Sequence, residues 1–185
     1  GPVDCGFDYY FGIPASLDIP PYYYIEDDQC VAPPSDHVEA NNSEGWSPIQ
    51  GAFWRAGGIA PGFEFQEVLP RFADKAIAFL DEHTDNHPDQ PFFLYLALAA
   101  PHTPWVPGEQ YKDRSDAGLY GDFVVHVDSA IGKVLDRLDA LNLTEDTLVT
   151  FTSDNGPVWY ETDVSRFEHD SAGIFRGMKG DAWEA

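Results

Sequence analysis

In the run TLVTFTSDNG, strand-forming residues give way to two oxygen-bearing side chains, Asp154 and Asn155, followed at once by Gly156. A carboxylate beside an amide oxygen is a pair of hard donors, suited to Ca2+ or Mg2+ rather than to a soft metal. The glycine lets the backbone turn tightly behind them. Alone, Asp-Asn-Gly is also an ordinary turn signal, and two protein ligands leave a divalent cation under-coordinated. His102 sits in the stretch PHTP. By itself it reads as a loop or packing histidine. In a cleft beside a cation it could donate to an anionic oxygen or protonate a leaving group. Lys179 lies between Gly177 and Gly180 in FRGMKGDAWEA. It reads either as an exposed tail lysine or as a point charge aimed at an anionic group.

Positioning these residues falls to a few elements. Pro70 suits a first helical turn, and Phe72, Ala76, Phe79 and Leu80 share one helical face through about Asp85. The continuous apolar run PFFLYLALAA, residues 91–100, reads as a buried strand that ends at PHTP. A long helix from about Asp116 to Leu141 follows. Its stripe of Tyr120, Val124, Val127, Ile131, Val134, Leu138 and Leu141 alternates spacings of four and three. TLVTFTS reads as a second buried strand. Helix, strand, helix, strand predicts an α/β fold with a mostly parallel or mixed sheet covered by helices on both faces. Were the two strands parallel, their C-terminal ends would bring His102 and Asp154-Asn155 to one sheet edge, where such folds bind ligands.

The chain has 185 residues, 43% hydrophobic and 15% aromatic, enough for one globular domain with a real core. Its longest unbroken apolar run, Phe92 to Ala100, is far too short to span a bilayer. With 32 acidic against 10 basic residues the formal net charge is -22. That field repels nucleic acid and anionic membrane surfaces. The excess reads as a solvated acidic surface, with some carboxylates open to binding cations. An anionic substrate would need a local positive spot, and Arg166, Arg176 and Lys179 are the late cluster that offers one. Cys5 and Cys30 are the two cysteines. They could form one disulfide, and their spacing does not suit a thiolate zinc site. Residues 1–62, rich in Pro, Gly and aromatics, show no sustained period and read as loop with short strands at most.

Four blocks carry a resemblance: GFDYYFGIPASLDIPPYYYIED, PFFLYLALAAPHTPWVP, YGDFVVHVDSAIGKVLDRLDALNLTEDTLVTFTSDNGP and RGMKGDAWEA. Together they span nearly half of the chain, and in order and spacing they resemble the middle of a type I sulfatase of the arylsulfatase group. The resemblance implies an alkaline-phosphatase-like α/β domain that hydrolyses sulfate esters through a formylglycine nucleophile and a Ca2+, sometimes Mg2+. It implies that Asp154 and Asn155 are metal ligands, that His102 contacts the sulfate or the leaving oxygen, and that Lys179 contacts the sulfate. Expected partners are small-molecule or carbohydrate sulfate esters, and an exported parent: periplasmic, extracellular or lysosomal.

The departures are as informative. The formylglycine is made within Cys/Ser-x-Pro-x-Arg, and neither Cys5, Cys30 nor any serine here fits that motif. The family's paired N-terminal aspartates, motif arginine and Gly-Lys-x-His stretch are likewise not among these residues. By the family pattern the chain is an internal piece of the catalytic domain. Residues 1–62 would be a loop-rich cleft segment, 63–157 a helix-strand-helix-strand core and 158–185 an active-site tail, without the nucleophile region and the C-terminal subdomain. Such a chain is expected to be inactive alone. Two other readings remain open: a non-catalytic cation-binding or interaction fragment, and a phosphate ester hydrolase of the same superfamily.

Overall fold

The computed structural model describes residues 1–183. Two helices dominate it. The first, α1, spans Val68–Asn86 and follows a 3-10 turn at Phe65–Glu67. Pro70 falls in its first turn, where the missing N–H has no intrahelical partner to lose. Its buried face is Val68, Leu69, Phe72, Ala73, Ala76 and Leu80. The second, α2, spans Gly118–Ala140 and buries Phe123, His126, Val127, Ala130, Val134 and Leu138. The two pack on each other, and Arg137 of α2 donates to Asp81 of α1. A short α3, Glu161–Phe167, lies in the C-terminal tail.

The stripe expected on α2 is present but rotated at its N-terminal half, where Phe123 is buried and Val124 faces outward. Spacings of four and three average 3.5 residues per turn, whereas a straight helix needs 3.6, so the stripe drifts by about 20° per heptad.

Helices and strands are both present, but the mostly parallel or mixed sheet expected between them is not found among the described residues. The ladders found are small and antiparallel. They pair β1 (Phe11–Gly12) with β2 (Ile25–Glu26), β2 with β3 (Gln29–Cys30), and β4 (Asp36–Val38) with β5 (Gly57–Ile59). They fall in the segment read as mostly loop. Residues 91–100 and 147–153 join no ladder, so no α2 crossover links parallel strands. The first of these runs nevertheless keeps a two-residue period. Phe92, Leu94, Leu96 and Leu98 pack against the core, while Phe93 and Tyr95 are 75% and 71% exposed. In the second run Leu148 and Phe151 are 92% and 79% exposed. Both runs are apolar on two faces, as a central strand should be, but these residues supply a layer for one face at most and no neighbouring strand.

The core continues into the N-terminal segment. Tyr22, Tyr24, Phe63 and Phe65 form an aromatic cluster below α1, with Tyr22 and Phe65 ring centroids 4.9 Å apart. Glu26 on β2 accepts from Lys75 of α1 and from Tyr9 Oη. A second cluster joins Trp46, Trp105, Tyr120, Trp159 and Phe167, tying the tail and the PHTPW loop to α2. Cys5 and Cys30 are both free and exposed, so no disulfide joins them.

Candidate functional site

His102 stands on a loop fixed at several points. The peptide bonds before Pro101 and Pro104 are both cis. Thr103 Oγ1 and the Trp105 N–H both donate to the Gly51 carbonyl at 2.8 Å, and Trp105 Nε1 donates to Pro101 O at 3.0 Å. Gly51 is required there: its φ is +71°, and a Cβ would lie 2.5 Å from Ser43 Cβ. The loop is thus bolted to the 43–51 turn, and the imidazole stands at its tip with its side chain 41% exposed. His102 Nδ1 lies 2.8 Å from the Thr103 carbonyl and 3.2 Å from Ser16 Oγ. Asp18 faces the same ring atom at 3.9 Å, while its other carboxylate oxygen accepts from Arg55.

Asp154 and Asn155 form an exposed bend just after the 147–153 run. The bend is held locally: Ser153 Oγ donates to Asn155 O at 2.8 Å, and Asn155 Nδ2 donates to Gly156 O at 2.9 Å. The chain then turns inward through Trp159, whose Nε1 donates to His169 O at 2.8 Å. Buried Gln50 fastens this return by donating from Nε2 to Asp163 Oδ2 at 2.9 Å and to Val158 O at 3.1 Å. The same Asp163 oxygen accepts the Tyr160 N–H at the start of α3.

Lys179 comes back to this region. Its backbone N–H donates to the Pro157 carbonyl at 2.9 Å, which sets the lysine two residues past the Asp154-Asn155 bend in space. Gly177 and Gly180, at φ +84° and +93°, bracket the turn. Of the basic residues read as a positive spot, Arg166 is engaged elsewhere. It donates to Gly45 O at 2.8 Å and lies over the Trp46 ring at 5.0 Å. Arg176 lies over the Trp183 ring at 4.2 Å. The Lys179 ammonium makes no hydrogen bond or ion pair among the described residues.

The structure therefore brings Lys179 and the Asp154–Pro157 segment together through the backbone. No hydrogen bond or ion pair among the described residues joins His102 to either. The donors at Asp154 and Asn155 suit Ca2+ in kind but not in number. Among the described residues no group of three or more His, Cys, Asp or Glu side chains converges as a metal site. An open groove of about 390 Å3 between β4 and the 63–66 segment contains none of the four residues.

Several residues around this region carry no local sequence signal. Ser16 and Asp18 meet His102 from far along the chain, Arg55 reaches Asp18 in turn, and Gln50 and Asp163 meet across 113 positions. Ser16 and Asp18 do lie within GIPASLD, part of the first of the four blocks that resemble sulfatases.

Comparison with known proteins bears on this arrangement. A family model described as Sulfatase matches residues 4–185. N-acetylgalactosamine-6-O-sulfatase of Bacteroides thetaiotaomicron is 31% identical over 212 residues, covering 97% of this chain and 41% of that protein. Human arylsulfatase A is 30% identical over 186 residues, covering 99% of this chain and 34% of that protein. A solved structure from work on glycosaminoglycan metabolism by Bacteroides thetaiotaomicron superposes with a TM-score of 0.81 at 30% identity, over 100% of this chain and 44% of that one. The crystal structure of Ps i-CgsB in complex with k-i-k-neocarrahexaose superposes with a TM-score of 0.53 at 28% identity, over 70% of this chain and 28% of that one. The chain thus spans less than half the length of the relatives it matches.

Proposed function

The chain belongs to the sulfatase family, and from that premise we propose that it forms part of a protein hydrolysing a sulfate ester, with His102, Lys179, Asp154 and Asn155 as its contribution to the active site. The observation that carries this reading is the family match over residues 4–185. It is supported by the backbone bond from the Lys179 N–H to the Pro157 carbonyl, which joins the lysine's segment to the one that carries Asp154 and Asn155. Lys179 is a compact charge able to contact sulfate oxygens as negative charge builds on them. His102 presents an exposed ring that can donate to the sulfate or protonate the departing oxygen. Asp154 and Asn155 would hold one side of a Ca2+ or Mg2+ ion, which when bound would neutralise charge on the sulfate. The remaining ligands and a formylglycine nucleophile would come from outside these residues.

The substrate class proposed is a small-molecule or carbohydrate sulfate ester, in line with a relative named for N-acetylgalactosamine-6-O-sulfate chemistry and a structural neighbour solved with k-i-k-neocarrahexaose. We place the complete protein in an exported compartment for the same reason of kinship. The apolar faces at Phe93, Tyr95, Leu148 and Phe151 fit this reading, because sulfatase sequence beyond the matched portion would supply the missing sheet neighbours. Hydrolysis of an aryl sulfate and of the matched aryl phosphate by the complete protein tests the proposal. Sulfate release faster than phosphate release is expected. Phosphate preference, or no turnover of either ester by correctly processed protein, would refute it. The 185-residue chain alone is expected to release no sulfate.

A further inference from the structure

Asp18 is a buried carboxylate with one oxygen left over. Its side chain is 8% exposed. Oδ2 accepts from Arg55 Nη1, whereas Oδ1 is buried and has no hydrogen-bond partner. An unsatisfied buried acceptor is costly and calls for an explanation. A staple between the 16–18 loop and Arg55 accounts for Oδ2 but not for Oδ1. What Oδ1 faces is His102, with 3.9 Å between Oδ1 and Nδ1. The same ring nitrogen is 2.8 Å from the Thr103 carbonyl and 3.2 Å from the Ser16 hydroxyl. A carbonyl oxygen only accepts, so the Thr103 contact is a hydrogen bond when Nδ1 carries the hydrogen. A carboxylate on the same side favours that placement electrostatically.

We infer that Asp18 is a positioning residue for His102: together with the Thr103 carbonyl it fixes the hydrogen on Nδ1 and leaves Nε2 as the ring atom free to meet a ligand. Nε2 makes no hydrogen bond among the described residues, and the side chain is 41% exposed. The state of the outer ring nitrogen is set by the hydrogen bond that the inner one donates. A histidine held this way offers its outer nitrogen as acceptor when neutral and as donor when protonated, without having to turn its ring. The catalytic consequence rests on the sulfate-ester reading, but the tautomer itself does not.

Nitrogen-15 NMR of the labelled 185-residue chain, with His102 assigned through its loss in His102→Gln, reads the tautomer at a pH where the ring is neutral. The native chain is expected to show Nδ1–H at His102, in contrast to the Nε2–H form expected when the same chain is unfolded in urea. Asp18→Asn removes the charge at nearly constant shape and is expected to raise the Nε2–H fraction several-fold. Ser16→Ala, which leaves the carboxylate in place, is expected to keep Nδ1–H. A native His102 in the Nε2–H form overturns the inference without any variant, and so does an unchanged ratio in folded Asp18→Asn. Should Asp18→Asn fail to fold, Arg55→Gln takes its place. With its other partner removed, the carboxylate is expected to close on Nδ1 and shift that proton downfield, and no shift counts against the inference. An Nδ1–H His102 in a complete protein that hydrolyses no sulfate ester would defeat the proposed function and leave the positioning role standing.

Discussion

Acid should unfold this chain partly through one buried histidine. His126 on α2 is 4% exposed. It accepts the Gly108 N–H at Nδ1 over 3.3 Å and stacks on Tyr111 with centroids 4.2 Å apart. Burial, with a smaller contribution from nearby Lys133, pushes its pKa down from 6.5 to about 4. The folded state therefore holds this ring neutral, whereas the unfolded chain takes up a proton below pH 6.5. Because the folded value is depressed, the neutral ring's stability is present in full above 6.5 and is lost as the pH falls through about 4. At 1.36 kcal/mol per pH unit, the interval from 6.5 to about 4 is worth about 3 kcal/mol. Urea unfolding followed by tryptophan fluorescence at several pH values measures it. His126→Asn, whose amide oxygen can still accept the Gly108 N–H, provides the comparison. The wild-type advantage over this variant should shrink by about 3 kcal/mol between neutral pH and about 4. A stability difference that does not change with pH would refute the reasoning.

Gln50→Leu leaves the buried Asp163 carboxylate without its side-chain donor, and should cost about 2–3 kcal/mol in urea unfolding. Glu26, held below the usual carboxylate range by Lys75 first and Tyr9 second, contributes above its ordinary pKa of 4.5 and loses that contribution as pH falls below it. The pair is part-exposed, so Glu26→Gln should cost less than about 1 kcal/mol at neutral pH and nothing well below pH 4.5. Replacing Phe93 and Phe151 by Ser should lower binding of a hydrophobic dye to the isolated chain without lowering its unfolding midpoint, since both rings already face solvent.

The parts of the fold legible in the sequence were those that repeat. The stripes of α1 and α2 gave both helices within a few residues, and only the drift between 3.5 and 3.6 residues per turn misplaced Val124. Residues 91–100 were recognisable as extended chain from their unbroken apolar run. Whether such a run sits in a sheet depends on neighbours that the run does not encode, and none is present among the described residues. Short strands were the most that residues 1–62 offered, and the positions and pairing of the small ladders at 11–59 were not legible because strands of two or three residues among Pro and Gly have no period to detect. At the site, Asp154 and Asn155 were legible as donors because they are adjacent, and Lys179 because glycines bracket it. Asp18, Arg55 and Ser16 were not, because their link to His102 is made by folding alone.

The central claim is that this chain supplies working groups to sulfate ester hydrolysis. It is tested most directly by the kcat/KM of the complete protein on an aryl sulfate, compared with Asp154→Ala and Lys179→Ala variants of unchanged unfolding midpoint. Both side chains are exposed, so their loss should spare the fold. The account predicts a fall of about a hundredfold or more in each, the usual consequence of removing one group that stabilises developing charge. Variants that hydrolyse the ester as fast as the wild type would contradict it.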